Sequence, residues 1–220
     1  MTPTPLRLAV LLSGRGSNME ALARACASGM LAARVVVVIA DRAGAAGIVA
    51  ARALGLETAT LVHAGDRGAF ERVLTETLER HRPQALALAG FMRVLSADFV
   101  ARYLGRMFNI HPSLLPKYPG LDTHRRVLAA GDTLHGASVH FVTAELDAGP
   151  VVLQSQVAVE PRDSEATLAA RVLATEHIIY PRALAWFADG RLAWRDGGAW
   201  LDGRALTEPL VEDFRAAATP

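Results

Sequence analysis

Residues 6–12, Leu-Arg-Leu-Ala-Val-Leu-Leu, form a strand-length apolar run broken only by Arg7, and they pass directly into Ser13-Gly14-Arg15-Gly16-Ser17-Asn18. A helical pattern follows to about Ser28, with Gly29 as its stop. A strand that is apolar at successive positions is buried on both faces, which is the habit of parallel sheets covered by helices. The pattern recurs: apolar runs over 34–40, 58–62 and 84–89 alternate with helical patterns over 45–54, 67–81 and, from a Ser96 cap, 97–103. Strands alternating with helices predict an α/β fold, a Rossmann-like three-layer sandwich with a parallel N-terminal half. Ligands in such sheets lie beyond the carboxyl ends of the strands, and segments 13–18, 91–95 and 109–116 all fall at that edge.

The second half is less regular. A strand over 107–111 ends at Pro112, and a helix is expected over 123–130. Strands over 135–142 and 151–159, joined by 143–150, predict antiparallel additions and therefore a mixed sheet. Asp163 or Ser164 caps a long helix to about Ala188, with an interruption expected at Tyr180-Pro181. Residues 191–195 and 199–201 read as a small hairpin around Asp196-Gly197-Gly198. Residues 1–5 and about 211–220 are expected to be flexible tails, and residues 1–220 to form a single domain, since no linker or repeat is visible.

Composition narrows the chemistry. A net charge of +1 over 220 residues, with no dense Lys/Arg block, leaves no field to recruit nucleic acid. The one cysteine, Cys26, excludes an intrachain disulfide framework and any multi-cysteine metal site. No secretory leader pattern opens the chain, and its apolar runs are well short of the roughly 18 residues of a membrane span, so a cytoplasmic location is expected. Lys117 is the only lysine, so Schiff-base chemistry has one possible site, in a Pro-flanked loop where a solvated side chain is expected.

Two stretches carry candidate chemistry. In 13–18 the glycines let free backbone N–H groups and the positive end of a helix dipole converge on an anion. The spacing is neither a P-loop nor a full dinucleotide fingerprint, and a tight turn with no ligand fits it equally. In 107–116, strand alternation places Asn109 and His111 on one side and Phe108 and Ile110 on the other. An amide and an imidazole side by side can stabilise an oxyanion or move a proton; equally, they can be a turn-capping Asn and a satisfied loop histidine. An Asp147 carboxylate near His111 would fix the imidazole and favour its charged form. His135 and His140, five apart on one strand, face opposite ways, so no metal is expected. Phe91 and Met92 are expected at a pocket rather than in plain core. Asp122-Thr123-His124 reads as a helix cap, and Glu71, Glu76 and Glu79 as a solvated helix face. The roles of Arg15, Tyr118, His124 and His140 stay open.

Taken together, Ser-Gly-x-Gly-Ser-Asn after the first strand, Ala89-Gly90-Phe91-Met92-Arg93, Asn109-Ile110-His111-Pro112-Ser113-Leu114-Leu115-Pro116 and Leu146-Asp147-Ala148-Gly149-Pro150 resemble the folate-dependent formyltransferases, in order from about Leu6 to about Leu206. The resemblance implies transfer of a formyl group from the cosubstrate 10-formyltetrahydrofolate to the amine of phosphoribosylglycinamide, in de novo purine biosynthesis. It implies Asn109, His111 and Asp147 as the catalytic set, with no enzyme nucleophile and no metal. Gly16, Ser17 and Asn18 would hold the substrate phosphate, and Gly120 and Glu176 other parts of the ribonucleotide. The folate would lie against Arg67, Met92, Arg93, Val94, Leu95, Asn109, Thr143, Ala144, Glu145, Leu146 and Asp147. The expected partners are these two small molecules, with no nucleic acid or membrane, in a monomer or homodimer. Two alternatives remain: a formyltetrahydrofolate deformylase on a similar Asn, His and Asp set, and a non-catalytic nucleotide- or folate-binding module.

Overall fold

The computed structural model describes residues 4–62 and 65–216. In chain order the elements are β1 (Leu6–Leu12), α1 (Ser17–Ala27), β2 (Ala33–Ala40), α2 (Ala46–Ala53), β3 (Thr58–Thr60), α3 (Arg67–His81), β4 (Ala85–Leu88), α4 (Ala97–Arg102), β5 (Met107–His111), α5 (Thr123–Ala130), β6 (Leu134–Phe141), β7 (Val151–Ala158), α6 (Glu165–Ala188), β8 (Leu192–Arg195), β9 (Gly198–Leu201), β10 (Arg204–Ala205) and β11 (Leu210–Asp213). Eight strands form one sheet in the order β11-β7-β6-β5-β4-β1-β2-β3, and β10-β9-β8 form a small antiparallel sheet. The first five strands pair in parallel. β6 runs antiparallel to β5, and β7 antiparallel to β6. The expected fold class, a parallel half joined to a mixed half, is what the sheet shows.

Alternation along the strands divides two cores. Leu8, Val10 and Leu12 of β1 pack into a cluster with α1, α2 and α6. Ala9 and Leu11 face the other way, into a smaller cluster with α3 and α4. Each fully buried Leu or Val contributes roughly 1.5–3 kcal/mol relative to exposure, and this drives the layering. In β5 the division decides the site. Phe108 and Ile110 enter the larger core, and Met107 enters the smaller one. Asn109 and His111 lie on Met107's side, two and four residues further along, beyond the last β5 residue of the smaller core.

The helix starts follow their sequence signals. Asp66 accepts from Ala69 N at 3.1 Å and Ser96 from Phe99 N at 3.2 Å. Ser164 caps α6 in a reciprocal box with Thr167, while the Asp163 carboxylate instead takes Arg171 at 2.6 and 2.8 Å. That guanidinium holds the Asp163 carboxyl down at about 2.

Three expectations need correction. First, α6 runs uninterrupted through Pro181. Proline forfeits one helical hydrogen bond, but the helix here is pinned from both sides of that point by buried packing. Tyr180, fully buried, aims its hydroxyl at the Leu88 and Phe108 carbonyls, at 3.0 and 3.1 Å, tying α6 to β4 and β5. Second, residues 211–213 are not a flexible tail: β11 pairs in parallel with β7, Leu210 opposite Leu153 and Asp213 opposite Gln156, and Glu212 forms an ion pair with Arg182 of α6. The expected tails at 1–3 and 217–220 lie outside the described residues. Third, Glu71 is not part of a solvated face. Its carboxylate accepts from Ser96 N at 2.6 Å and from the Ser96 hydroxyl, fastening α3 to the start of α4.

Candidate active site

The loop between β1 and α1 sits at the carboxyl edge of the sheet. Gly16 occupies the N-cap of α1 with φ 82°, a left-handed conformation in which a side chain is strained. A Cβ there would also come within 2.6 Å of the Gly47 backbone at the start of α2. Gly47 N donates to Gly14 O at 3.0 Å, so α2 braces the loop from behind. Gly47 carries no signal in the sequence, because its value lies in this contact. No side chain caps α1, which leaves its first N–H groups to whatever lies in front of them. Asn18 is buried, and its amide donates to Glu176 Oε2 at 2.6 Å, so these two candidates from opposite ends of the chain meet. Burial raises the Glu176 pKa above the ordinary carboxylate value, and the Asn18 hydrogen bond partly offsets it.

A second cluster forms around β5. Its antiparallel register with β6 sets Asn109 opposite His140. Asn109 Nδ2 donates to His140 Nε2 at 3.1 Å, and His140 Nδ1 donates to the Phe141 carbonyl at 2.8 Å. This network makes His140 a neutral acceptor, consistent with burial lowering its pKa. The role left open for His140 is therefore filled: it holds the Asn109 amide by one N–H and leaves the other to point elsewhere.

His111 has an oxygen facing each ring nitrogen. Nε2 donates to the Tyr118 carbonyl at 2.9 Å, and Nδ1 lies 3.4 Å from Asp147 Oδ2. Both facing groups are oxygens, and the Nε2 contact is the hydrogen bond of the two. Asp147 adopts φ 52° and its Oδ2 also accepts from Gly120 N at 2.8 Å. Gly120 thus belongs to the cluster through its backbone. Asp147 Oδ1 stands 3.8 Å from His140 Nε2, too far for a hydrogen bond.

The chain after His111 is braced by β6 and β7. Ser138, opposite His111, accepts from Leu115 N at 3.0 Å and donates to Ser113 O at 2.6 Å. Gln154 donates to Leu115 O at 2.8 Å. Tyr118, with φ 57°, donates from its hydroxyl to Asp132, which also takes Lys117 at 2.8 Å. Lys117 is exposed, as expected for that loop. Asp122 occupies the N-cap position of α5, but its carboxylate bonds to Arg125 rather than to a backbone N–H, so the expected side-chain cap is absent. His124 Nδ1 and His135 Nε2 share a hydrogen bond of 2.9 Å. Burial lowers both pKa values, that of His135 to about 4.

Beside the cluster runs a groove lined by Arg93, Val94, Leu95, Asn109, His140 and residues 143–147, and His111 is not in its lining. Phe91 lines it too. A neighbouring depression is lined by Arg67, Phe70, Glu71, Arg93, Val94 and Leu95. Met92 lines neither: its side chain is 60% exposed, and its backbone N donates to Ser13 Oγ at 2.8 Å. Among the described residues no three His, Cys, Asp or Glu side chains converge as metal ligands, and no helix is long and apolar enough to cross a membrane.

Comparison with known proteins adds the rest. A phosphoribosylglycinamide formyltransferase of Escherichia coli (strain K12) is 49% identical over 203 residues, covering 91% of this chain and 96% of that protein. The structure of the phosphoribosylglycinamide formyltransferase of Coxiella burnetii superposes with a TM-score of 0.88 at 46% identity, covering 94% of this chain and 99% of that one. A formyltetrahydrofolate deformylase from Pseudomonas syringae shares the fold, with a TM-score of 0.84 at 23% identity over 90% of this chain and 66% of that one. The family model described as formyl transferase matches residues 6–184, and the chain belongs to the formyl transferase family.

Proposed function

We propose that this enzyme transfers the formyl group of 10-formyltetrahydrofolate to the amine of N1-(5-phosphoribosyl)glycinamide, giving the N2-formyl product and tetrahydrofolate in de novo purine biosynthesis. The observation that carries this reading is the cluster of Asn109, His111 and Asp147, two of which, Asn109 and Asp147, line the groove. It is supported by a glycine loop suited to a phosphate and by relatives named for this activity.

The substrate amine attacks the formyl carbon, a C–N bond forms and the carbonyl oxygen becomes an oxyanion. The Asn109 N–H not held by His140 is the donor for that oxygen. His111, two residues on and on the same side of the strand, has its Nε2 taken by the Tyr118 carbonyl and its Nδ1 facing Asp147. Asp147 and the Tyr118 carbonyl hold the ring in orientation beside that donor. The C–N10 bond then breaks, and the proton lost by the amine ends on N10 of the folate. The balance closes without an enzyme nucleophile. Gly16, Ser17 and Asn18 would take the phosphate, Glu176 and Gly120 the rest of the ribonucleotide, and Arg67, Arg93–Leu95 and residues 143–147 the folate.

The test is turnover with both substrates, following tetrahydrofolate release. Release that requires phosphoribosylglycinamide is expected. Equal release without the amine supports the deformylase reading, and none in either case supports a binding module.

A further inference from the structure

Arg93 is common to the groove and the neighbouring depression, and it is held from a direction the reaction does not use. Its Nε donates to Asp41 Oδ2 at 3.1 Å, and its guanidinium lies 4.4 Å from the centroid of the Phe70 ring. Asp41 is the residue after β2, and Arg93 follows β4; β2 and β4 flank β1, so the pair reaches across the end of β1. The Asp41 side chain is only 4% exposed and its second oxygen lies 3.5 Å from Arg42 Nε. A carboxylate buried to that degree needs a cation beside it, and a guanidinium gripped at Nε while stacked on an aromatic face has little freedom left. Ser13 fixes Met92 N and Glu71 fixes Ser96 at the two ends of the same strip. Asp41 is the hold at its centre, and it lines neither depression itself.

We propose that Asp41 is a positioning residue for the formyl donor: it fixes Arg93 between the groove and the depression, and so sets affinity for the folate without touching it. This rests on the folate reading of the groove given above.

The experiment measures steady-state kinetics with both substrates and direct calorimetric titration of tetrahydrofolate. Asp41→Ala is expected to raise KM for 10-formyltetrahydrofolate, and Kd for tetrahydrofolate, about tenfold, with kcat and KM for phosphoribosylglycinamide within about twofold. Asp41→Asn keeps an acceptor for Nε without the charge, and is expected to recover most of the loss, leaving about a threefold rise. On an Arg93→Ala background, Asp41→Ala should add nothing further. The proposal is overturned if donor KM is unchanged, if both substrates' KM values rise together, or if the two substitutions add. If Asp41→Ala does not fold, Asp41→Asn decides by itself, and an unchanged donor KM overturns the proposal. Should the unaltered enzyme bind no tetrahydrofolate, the folate reading falls and this proposal with it; normal binding that Asp41 substitutions leave untouched removes the proposal alone.

Discussion

The two candidate halves of the site are built from different materials. The loop before α1 offers the uncapped backbone N–H groups at the start of the helix, shaped by two glycines. The cluster at β5 offers side chains, and two of them are held by groups far along the chain: Asn109 by His140, 31 residues on, and Asp147 by the Gly120 amide, 27 residues back. A backbone site tolerates changes of side chain but not of backbone conformation. A side-chain site inverts that sensitivity. The reaction needs both, because a phosphate is a static charge that a fixed ring of N–H groups suits, whereas an oxyanion appears only in the transition state and needs a donor aimed in advance.

The largest effect should come from the side-chain half. Asn109→Ala is expected to lower kcat about 10²–10³-fold, some 3–4 kcal/mol, as for loss of an oxyanion donor, while KM for the ribonucleotide stays within about twofold. A variant whose KM rises with kcat intact would place Asn109 in binding and erase the contrast between the halves.

Acid and base should then pull two buried groups, His135 beside His124 and Glu176 beside Asn18, in opposite directions. His135 is held neutral, its pKa lowered to about 4 from 6.5 by burial and by neighbouring His124 and His111. Between those values the unfolded chain takes a proton that the folded one refuses. Its contribution is therefore intact above pH 6.5 and is lost as pH falls toward 4, by roughly 3 kcal/mol in all. Glu176, raised by burial, has the reverse sign: the folded state keeps its proton longer, so stability is greatest below the ordinary carboxylate pKa and falls as pH rises through the raised value. Urea midpoints across pH 4–8 should show His135→Asn flattening the acid limb and Glu176→Gln lifting stability at neutral pH. Parallel curves for the variants and the parent would deny the difference.

The smallest effect in energy is expected at the backbone half. Gly16→Ala places a Cβ against Gly47 in a left-handed conformation, and a loss of about 2 kcal/mol in stability is expected. It should weaken phosphate binding, read as a raised KM for the ribonucleotide, without changing the kcat measured at saturation. An Ala variant with normal KM would show that the loop is only a turn.

What was legible in the sequence follows the same division. The glycine loop, the caps at Asp66, Ser96 and Ser164, and the alternation of β5 are local patterns, and each appears in the structure where its residues place it. The interruption expected at Pro181 was a local signal overruled by packing, since Tyr180 and its neighbours bury too much to let the helix break. The strand at Leu210–Asp213 was invisible because each residue's partner on β7 lies 57 residues earlier and its own four residues are mostly exposed. Glu71 looked like any solvated helix carboxylate until α4 arrived beside it.

By itself the sequence determined the layered α/β architecture, the parallel half of the sheet, and the chemical groups available at its carboxyl edge. Those depend on periodicity and on the conformations of individual residues, which act over one or two turns of chain. Only the tertiary structure decided that His140 faces Asn109, that Tyr118 and Asp147 each turn an oxygen to His111, that Gly47 backs Gly16, and that Asp41 reaches Arg93. These are consequences of strand register and strand order. A shift of one residue in the β5–β6 pairing would leave every local pattern unchanged and turn His140 to the other face of the sheet.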